Sequence, residues 1–141
     1  CGRHCCFEAY SSATALVKLT KEKFIETENT LMHEMCGGDV NNVGGKTAFA
    51  AMKKGDKAGA EVVETYIKYL ACGIANLINI FQPDMFVIGG GVCNEGDNLL
   101  KTLLEILNKE LYGGTLKTKI SIATLGNDAG IIGAAHASAI K

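Results

Sequence analysis

The sequence lacks both a long uninterrupted apolar run and an excess of charge of either sign. Its most apolar helix-length segment, YLACGIANLINIF, contains Asn76 and Asn79 and is shorter than the roughly 20 residues that a membrane-spanning helix requires. The 14 basic and 15 acidic residues give a formal net charge of -1, so no sustained positive field is available to hold a phosphate backbone. These absences exclude a membrane span and argue against nucleic acid as a partner of this segment.

The sequence also lacks an initiating methionine, a signal-peptide pattern, internal repeats and low-complexity tracts. Its 141 residues have the length of one domain, and 48% hydrophobic against 21% charged residues is a globular composition. Six cysteines could form a disulfide framework, but a core of this size does not need one. Three of them, Cys36, Cys72 and Cys93, also stand singly and far apart. We therefore expect one domain in the reducing cytoplasm.

Apolar residues in the first third of the sequence predict two short helices. Spacings of three and four residues within positions 8–19 indicate an amphipathic helix. The periodicity is lost over positions 20–46, where the segment CGGDVNNVGGKT predicts a turn-rich connection. A brief helix is expected around positions 48–52. Three lysines near the end of this helix are interpreted as a solvated face: Lys53, Lys54 and Lys57.

The longest apolar pattern predicts one buried face of a long helix, formed by Val63, Ile67, Leu70, Ile74, Leu77 and Phe81. Pro83 ends this helix because its ring disfavours helical geometry at Gln82. The segment DMFVIGGGV predicts a buried strand that runs into a glycine turn, positions 99–107 predict a helix, and KTKISIAT predicts a second strand. The order strand, helix, strand implies a right-handed parallel crossover. A last helix of very small residues is expected in GNDAGIIGAAHASAI.

The glycines Gly89, Gly90 and Gly91 follow the first predicted strand at its carboxyl end, where ligands bind in open α/β sheets. Glycine would let a ligand approach the backbone closely, but a tight strand-to-helix turn without any ligand fits the same residues equally well. Two familiar phosphate loops are excluded by position. A dinucleotide fingerprint would need glycine or alanine at Asn94, and a P-loop ending in GGKT would need glycine at Val40.

The opening segment, CGRHCCFEAYSS, contains three of the six cysteines. Cys1 and Cys6 are separated by four residues, which is compatible with a knuckle of a tetrahedral zinc site. Two complete knuckles are not formed, so free thiols or an adventitious disulfide fit the same residues. His33 and His136 each stand alone and suggest no metal site.

Three segments, in the right order, resemble the ROK family of bacterial glucokinases, other hexose kinases and sugar-responsive repressors. CGRHCCFEAYSSA is similar to the family signature C-x-C-G-x-x-G-C-x-E-x-x-x-S from its second cysteine onward. GDKAGAEVVETYIKYLACGIANLINIFQPDMFVIGGGV resembles the family's long helix, strand and glycine turn, and GNDAGIIGAA resembles its closing helix. Because the family's enzymes are about twice this length, the resemblance implies that residues 1–141 are a single lobe, the C-terminal half of such a protein.

The resemblance implies a helix-rich α/β fold, the C-terminal lobe of an actin-like or hexokinase-like ATPase of the ribonuclease H-like type. It also implies that Cys1 and Cys6 are ligands of a structural zinc whose other two ligands lie upstream, so that zinc binding by this chain alone is doubtful. Cys5 departs from the family pattern, which has glycine there. A side chain at that position would strain a left-handed turn.

Glu8 matches the family glutamate that accepts hydrogen bonds from sugar hydroxyls; without the resemblance it would be read as a helix N-terminal carboxylate. Gly90, Gly91 and Val92 match the turn that contacts adenosine. The resemblance thus implies phosphoryl transfer from ATP, with magnesium, to the 6-hydroxyl of glucose, a step of carbohydrate metabolism. The family's catalytic aspartate and phosphate-binding loop belong to its N-terminal half, so no catalytic residue is expected in this chain and the chain alone should be inactive.

Two other functions remain open under the same resemblance. One is a kinase for another hexose, such as N-acetylmannosamine or fructose, and the other is a sugar-sensing transcriptional repressor, which would carry a helix-turn-helix upstream. The family dimerises largely through this lobe, so a homodimer is expected. The final helix, about 128–141, normally packs toward the N-terminal lobe. In this chain we expect it either to fold back or to pair with a second copy, because an apolar face promotes association.

Overall fold

The computed structural model describes residues 2–139. Over that range the helices are α1 (Phe7–Ser11), α2 (Ala13–Glu26), α3 (Leu31–Met35), α4 (Thr47–Lys53), α5 (Lys57–Phe81), α6 (Asp97–Glu110) and α7 (Ala129–Ala139). The strands are β1 (Met85–Ile88), between α5 and α6, and β2 (Lys119–Ile122), between α6 and α7. Short 3-10 helices occupy Val40–Asn42, Gly91–Glu95 and Gly126–Asp128.

Helix α5 is the centre of the fold, and α1, α2, α4 and α6 all pack against it. Its buried positions follow the helical repeat and include Val62, Val63, Tyr66, Ile67, Leu70, Ala71, Ile74, Ala75 and Ile78. Asp56 caps its N-terminus, accepting hydrogen bonds from the Gly59 backbone N–H at 3.0 Å and the Thr30 hydroxyl at 2.6 Å. Removing these bonds would leave buried donors without partners, so the cap fixes where the helix begins.

The predicted long helix and its end at Pro83 are confirmed. Gln82 adopts a left-handed conformation with φ of 46° and donates its backbone N–H to the carbonyl of Ile78 at 2.8 Å. The predicted burial of Phe81 is wrong, because its side chain is 71% exposed. Phe81 is the last residue of the helix, where the elements that cover the preceding turns no longer reach it.

Two glycines of α5 allow neighbouring helices to approach closely. A Cβ atom on Gly59 would lie 2.8 Å from the Cβ of Ala51 and 2.9 Å from the backbone oxygen of Ala48 in α4. A Cβ atom on Gly73 would overlap the ring of Phe7 in α1. The contact at Gly59 involves backbone and cannot be relieved by turning a side chain, so α4 is held in a fixed position on α5.

The connection that the sequence predicts over positions 20–46 is wrong in part, since α2 extends to Glu26 and α3 follows. A second core cluster explains the order of this segment; it contains Phe24, Met32, Cys36, Val43, Ala51 and Ala58. These residues are too widely spaced to show a helical repeat, and burial against α4 and α5 decides their structure. The single helix predicted over positions 8–19 is also divided, because Ser12 is extended and its hydroxyl accepts from the Ala15 N–H to cap α2.

Strands β1 and β2 form a two-stranded parallel sheet in the register Met85 with Lys119 through Ile88 with Ile122. Helix α6 connects them and packs on α5. The predicted parallel order is therefore confirmed. Ile88 is buried in the main core, whereas Met85 and Val87 on the alternate face of β1 are half exposed. The sheet thus has one face on the core and one face uncovered within residues 2–139.

Helix α7 follows β2 and has no buried residue among the side chains that the structure describes. Ile131 is 75% exposed, and the element that α7 mainly contacts is the adjoining 3-10 helix. Of the two expected arrangements, the described residues do not show a fold-back on the same lobe, and pairing with a second copy stays a prediction. Within those residues, no helix has the combined length and hydropathy needed to cross a membrane.

Candidate functional site

The glycine turn, which we define as residues 89–96, lies at the carboxyl end of β1. Gly90 has φ of 96° and ψ of 175°, a conformation essentially closed to residues with a Cβ atom. A Cβ atom on Gly90 or Gly91 would meet nothing within 4 Å, so the backbone there borders open space. Val92, in contrast, is half-buried and packs against the main core. The backbone of Gly90 and Gly91 is therefore accessible, and Val92 anchors the same turn to the core.

Three interactions hold residues 93–95 of the glycine turn in place. The Cys93 thiol donates to the carbonyl of Ile88 at 3.2 Å, and its burial raises the pKa of that thiol. The Lys53 ammonium lies 2.6 Å from the Glu95 carboxylate, and the Glu95 side chain is only 11% exposed. The Asn98 side chain donates to the backbone oxygen of Glu95 at 3.4 Å. Lys53 thus joins α4 to the turn while its own side chain stays 47% exposed, in agreement with its interpretation as part of a solvated face.

Glu8 lies in the first turn of α1 and is exposed. It lines an open cleft of about 400 Å³ together with Arg3, Ser12, Thr14 and Lys18. Carboxylate, hydroxyl and cationic groups therefore face one small space, which is the combination that can bind a polyhydroxylated molecule by hydrogen bonds. None of the residues that line this cleft belongs to the glycine turn.

The predicted zinc ligands are not assembled in the part of the chain that the structure describes. Cys1 lies outside those residues, and the Cys6 thiol donates to the carbonyl of Arg3 at 3.9 Å. Over residues 2–139, no group of three or more Cys, His, Asp or Glu side chains is placed to hold a metal ion. Structural zinc takes four such ligands, and the assignment of Cys1 and Cys6 to a zinc site stays a prediction.

Cys5 has φ of 60°, in the left-handed region, as expected where the family pattern has glycine. Its sulfur accepts a hydrogen bond from the Tyr10 hydroxyl at 3.9 Å, and this bond is the main cause that raises the pKa of Tyr10. The Tyr10 ring lies 5.1 Å from that of Tyr69, centroid to centroid. These side chains and Cys72 line an apolar cleft of about 470 Å³ between α1 and α5. The sequence gives no signal for this cleft, because its two walls lie about 60 positions apart.

His33 has a structural role in the connection between α2 and α3. Its Nε2 lies 2.9 Å from the backbone oxygen of Phe24 and 3.0 Å from that of Thr27. Its ring also stacks on the Phe24 ring at 3.9 Å between centroids. The imidazole therefore interacts with one carbonyl group in the last turn of α2, that of Phe24, and with one in the connection between α2 and α3, that of Thr27.

Comparison with known sequences connects these features to one family. The sequence model of the ROK family matches residues 1–139. The glucokinase of Streptomyces coelicolor is 30% identical over 139 residues, which are 96% of this chain and 44% of the relative. The glucokinase of Halalkalibacterium halodurans is 35% identical over 137 residues, which are 94% of this chain and 40% of the relative. The xylose repressor of Caldicellulosiruptor bescii also matches, at 25% identity over 94% of this chain.

Among solved structures, a ROK family glucokinase from Streptomyces griseus in complex with glucose and AMPPNP superposes with a TM-score of 0.87 at 29% identity. The superposition covers 97% of this chain and 45% of that structure. This likeness confirms the predicted helix-rich α/β lobe of an actin-like ATPase fold. The chain spans less than half the length of the curated relatives that it matches.

Proposed function

The chain belongs to the ROK family, and on that premise we propose that it is part of an ATP-dependent hexose kinase that phosphorylates the 6-hydroxyl of glucose. The observation that carries the proposal is the open glycine backbone at the carboxyl end of a parallel strand. Gly90 holds a conformation that requires glycine, and no side chain fills the space beside it. Such a site suits a ligand that must lie flat against the main chain.

In this proposal, Gly90, Gly91 and Val92 contact the adenosine part of ATP. The two glycines offer backbone without a Cβ, and Val92 offers an apolar side chain that is anchored in the core. Phosphoryl transfer depends mainly on positioning and on neutralisation of charge. The contribution of these residues is therefore to fix the nucleoside so that the phosphates have one location. Magnesium, when bound with ATP, neutralises phosphate charge.

Glu8 is proposed to bind the sugar. Its carboxylate is exposed in a cleft lined by hydroxyl groups and two cations, and a carboxylate accepts hydrogen bonds from sugar hydroxyl groups. We assign two further roles to the other part of the protein: removal of the proton from the sugar hydroxyl and binding of the transferred phosphate. Residues 1–141 alone should consequently bind ligands weakly and show no turnover.

A coupled assay of ADP release tests the activity directly. The full protein is incubated with ATP, magnesium and each of a panel of sugars: glucose, fructose, N-acetylmannosamine and N-acetylgalactosamine. We expect glucose to give the highest kcat/KM and the isolated chain to give none. Absence of ATP-dependent phosphorylation with every sugar would refute the kinase assignment, and turnover by the isolated chain would refute its inactivity.

The variant Gly90→Ala tests the nucleotide role of the turn. A Cβ atom at φ of 96° strains the backbone, so we expect KM for ATP to rise by about tenfold while KM for glucose changes little. Gly114→Ala is the matched control, because Gly114 also has positive φ, 65°, but lies in the loop after α6. Equal effects of the two variants on KM for ATP would contradict this role.

A sugar-responsive repressor is the second candidate function, and the similarity to the xylose repressor favours it. The same lobe would then bind sugar without transferring phosphate. The two functions differ in their response to glucose: a kinase consumes ATP, whereas a repressor releases operator DNA. The coding sequence upstream of Cys1 discriminates them at once, since a repressor requires a DNA-binding helix-turn-helix.

A further inference from the structure

We propose that Lys53 is a positioning residue for the nucleotide and acts through Glu95 to hold the glycine turn in place. This inference rests on the proposed function of the turn. It concerns a residue that no motif singles out, because Lys53 and Glu95 are 42 positions apart in the sequence. Lys53 forms an ion pair with the Glu95 carboxylate of the turn and is not itself assigned to contact ATP.

The glycine turn needs an external anchor because much of it has no side chain to pack. Four of its eight residues are glycine, at positions 89, 90, 91 and 96, and Gly90 and Gly96 have positive φ. Glycine backbones have many accessible conformations, so their order must be imposed by neighbouring groups. Val92 and Cys93 anchor the start of the 3-10 helix in the core, and Glu95 is the charged side chain that anchors its end.

The burial of Glu95 makes its ion pair more consequential than an ordinary surface pair. The Glu95 side chain is 11% exposed and that of Lys53 is 47% exposed, whereas the two partners of the Lys68–Glu64 pair on α5 are 60% and 58% exposed. The difference between the two pairs therefore lies mainly in the carboxylate. An exposed pair contributes little because water screens both charges. A carboxylate that is largely removed from water loses its compensation when the cation is deleted. Without Lys53, we expect Glu95 to turn toward solvent and to draw the end of the turn with it.

Lys53 can serve as an anchor because the helix that carries it is fixed. It lies in the last turn of α4, and α4 is held against α5 by the backbone contact at Gly59. The ion pair therefore transmits the position of the helical core to the end of the turn. Deleting the ammonium should loosen the nucleotide site without disturbing the Glu8 cleft, whose lining does not include Lys53.

Steady-state kinetics of the full protein test this inference, with ATP and sugar varied separately. For Lys53→Met, which keeps most of the aliphatic stem, we expect KM for ATP to rise by about three- to tenfold, with KM for the sugar unchanged. Lys53→Arg and the charge exchange Lys53→Glu with Glu95→Lys should restore most of the affinity. Lys68→Met, which removes the cation of the exposed pair on α5, is the matched control and should leave both constants unchanged.

Hydrogen exchange of the wild-type and Lys53→Met proteins without ATP gives a second readout. The amides of Cys93 and Gly96 donate within the turn, at 3.1 Å each, and should exchange faster in Lys53→Met. Unchanged KM for ATP with unchanged exchange would overturn the inference while the proposed function stands. A wild-type protein that binds no nucleotide would overturn both. Lost affinity that the charge exchange fails to restore would also overturn it, because the effect would then not pass through the ion pair.

Discussion

Helices α5 and α7 are both rich in apolar residues, yet one is the centre of the core and the other is exposed. Eleven of the 25 residues of α5 are buried, against four neighbouring helices. No described side chain of α7 is buried. The difference lies in their partners and in side-chain size, because burial stabilises in proportion to apolar area. Alanine and glycine in α7 present little area, and no element of residues 2–139 covers it.

The helical layer and the C-terminal end of this chain should therefore respond differently to substitution. Around α5, small changes meet closely packed neighbours and large effects follow. Around α7, the same changes meet open space. Four substitutions, ordered by their expected effect on the free energy of unfolding, test this contrast.

Gly59→Ala should have the largest effect. Its new Cβ would lie under 3 Å from both a side-chain carbon and a backbone oxygen of α4, so overpacking should lower the free energy of unfolding by about 2–3 kcal/mol. Gly130→Ala in α7 is the matched control, since its Cβ would meet nothing within 4 Å. Urea titration of both variants measures the difference. Equal midpoints would show that the contact between α4 and α5 is looser than the structure has it.

Asp56→Ala should rank second, because it removes the N-cap of α5 and the acceptor of the Thr30 hydroxyl together. We expect a loss of about 1–2 kcal/mol in the free energy of unfolding. Asp39→Ala is the control, since Asp39 caps only the short 3-10 helix Val40–Asn42 at an exposed position. If both variants unfolded at the same urea concentration, the buried cap would not be a determinant of α5.

Tyr66→Phe should rank third at neutral pH. The buried hydroxyl of Tyr66 donates to the carbonyl of Ser11 at 2.9 Å, and its loss should lower the free energy of unfolding by about 1 kcal/mol. Burial raises the pKa of Tyr66 from 10.0 to about 12. Above pH 10 the unfolded chain therefore loses this proton while the folded chain retains it, so stability is full below pH 10 and falls toward pH 12.

The alkaline part of this prediction is measured as urea midpoints between pH 8 and pH 11. The wild-type slope above pH 10 should be steeper than that of Tyr66→Phe, which has no phenol to titrate at this position. Tyr112→Phe is the control, because the Tyr112 side chain is 95% exposed. Parallel profiles for wild type and Tyr66→Phe would contradict the assigned burial.

Ile131→Ser in α7 should have the smallest effect, below about 0.5 kcal/mol in this chain, since the side chain is 75% exposed. The same substitution also tests the expected homodimer. If α7 pairs with a second copy, light scattering should show a larger mass for wild type than for the variant. A large loss of stability in a chain that scatters as a monomer would contradict the exposed position of α7.

Much of the fold was predictable because it depends on neighbours along the chain. The repeat of apolar residues predicts α5 and α6, Pro83 predicts the end of α5, and the three glycines predict the position of the turn. The division at Ser12 and the helix α3 were not predicted. At Ser12 a side-chain hydroxyl caps a new helix, and helix α3 has five residues, of which Met32 is buried. Neither feature leaves an apolar repeat that is long enough to detect.

The candidate site was predicted less completely than the fold. The resemblance to the ROK family implied sugar binding by Glu8 and nucleotide binding by Gly90, Gly91 and Val92, and these roles stay predictions. The signature around Cys1 and Cys6 likewise leaves zinc as a prediction, with one of the two cysteines outside the described residues. The exposure of Lys53 was predicted, but its ion pair with Glu95 was not, because the two residues are 42 positions apart in the sequence.

Local sequence patterns predicted α5, α6 and the two strands, the end of α5 at Pro83, and the place where the backbone lacks side chains. These are local properties, set by residue shape and by a repeat of a few positions. Only the tertiary structure decided that Lys53 meets Glu95, that α4 rests on Gly59 and that α7 is uncovered. Each depends on the distance between groups far apart along the chain, and packing of the whole core fixes that distance.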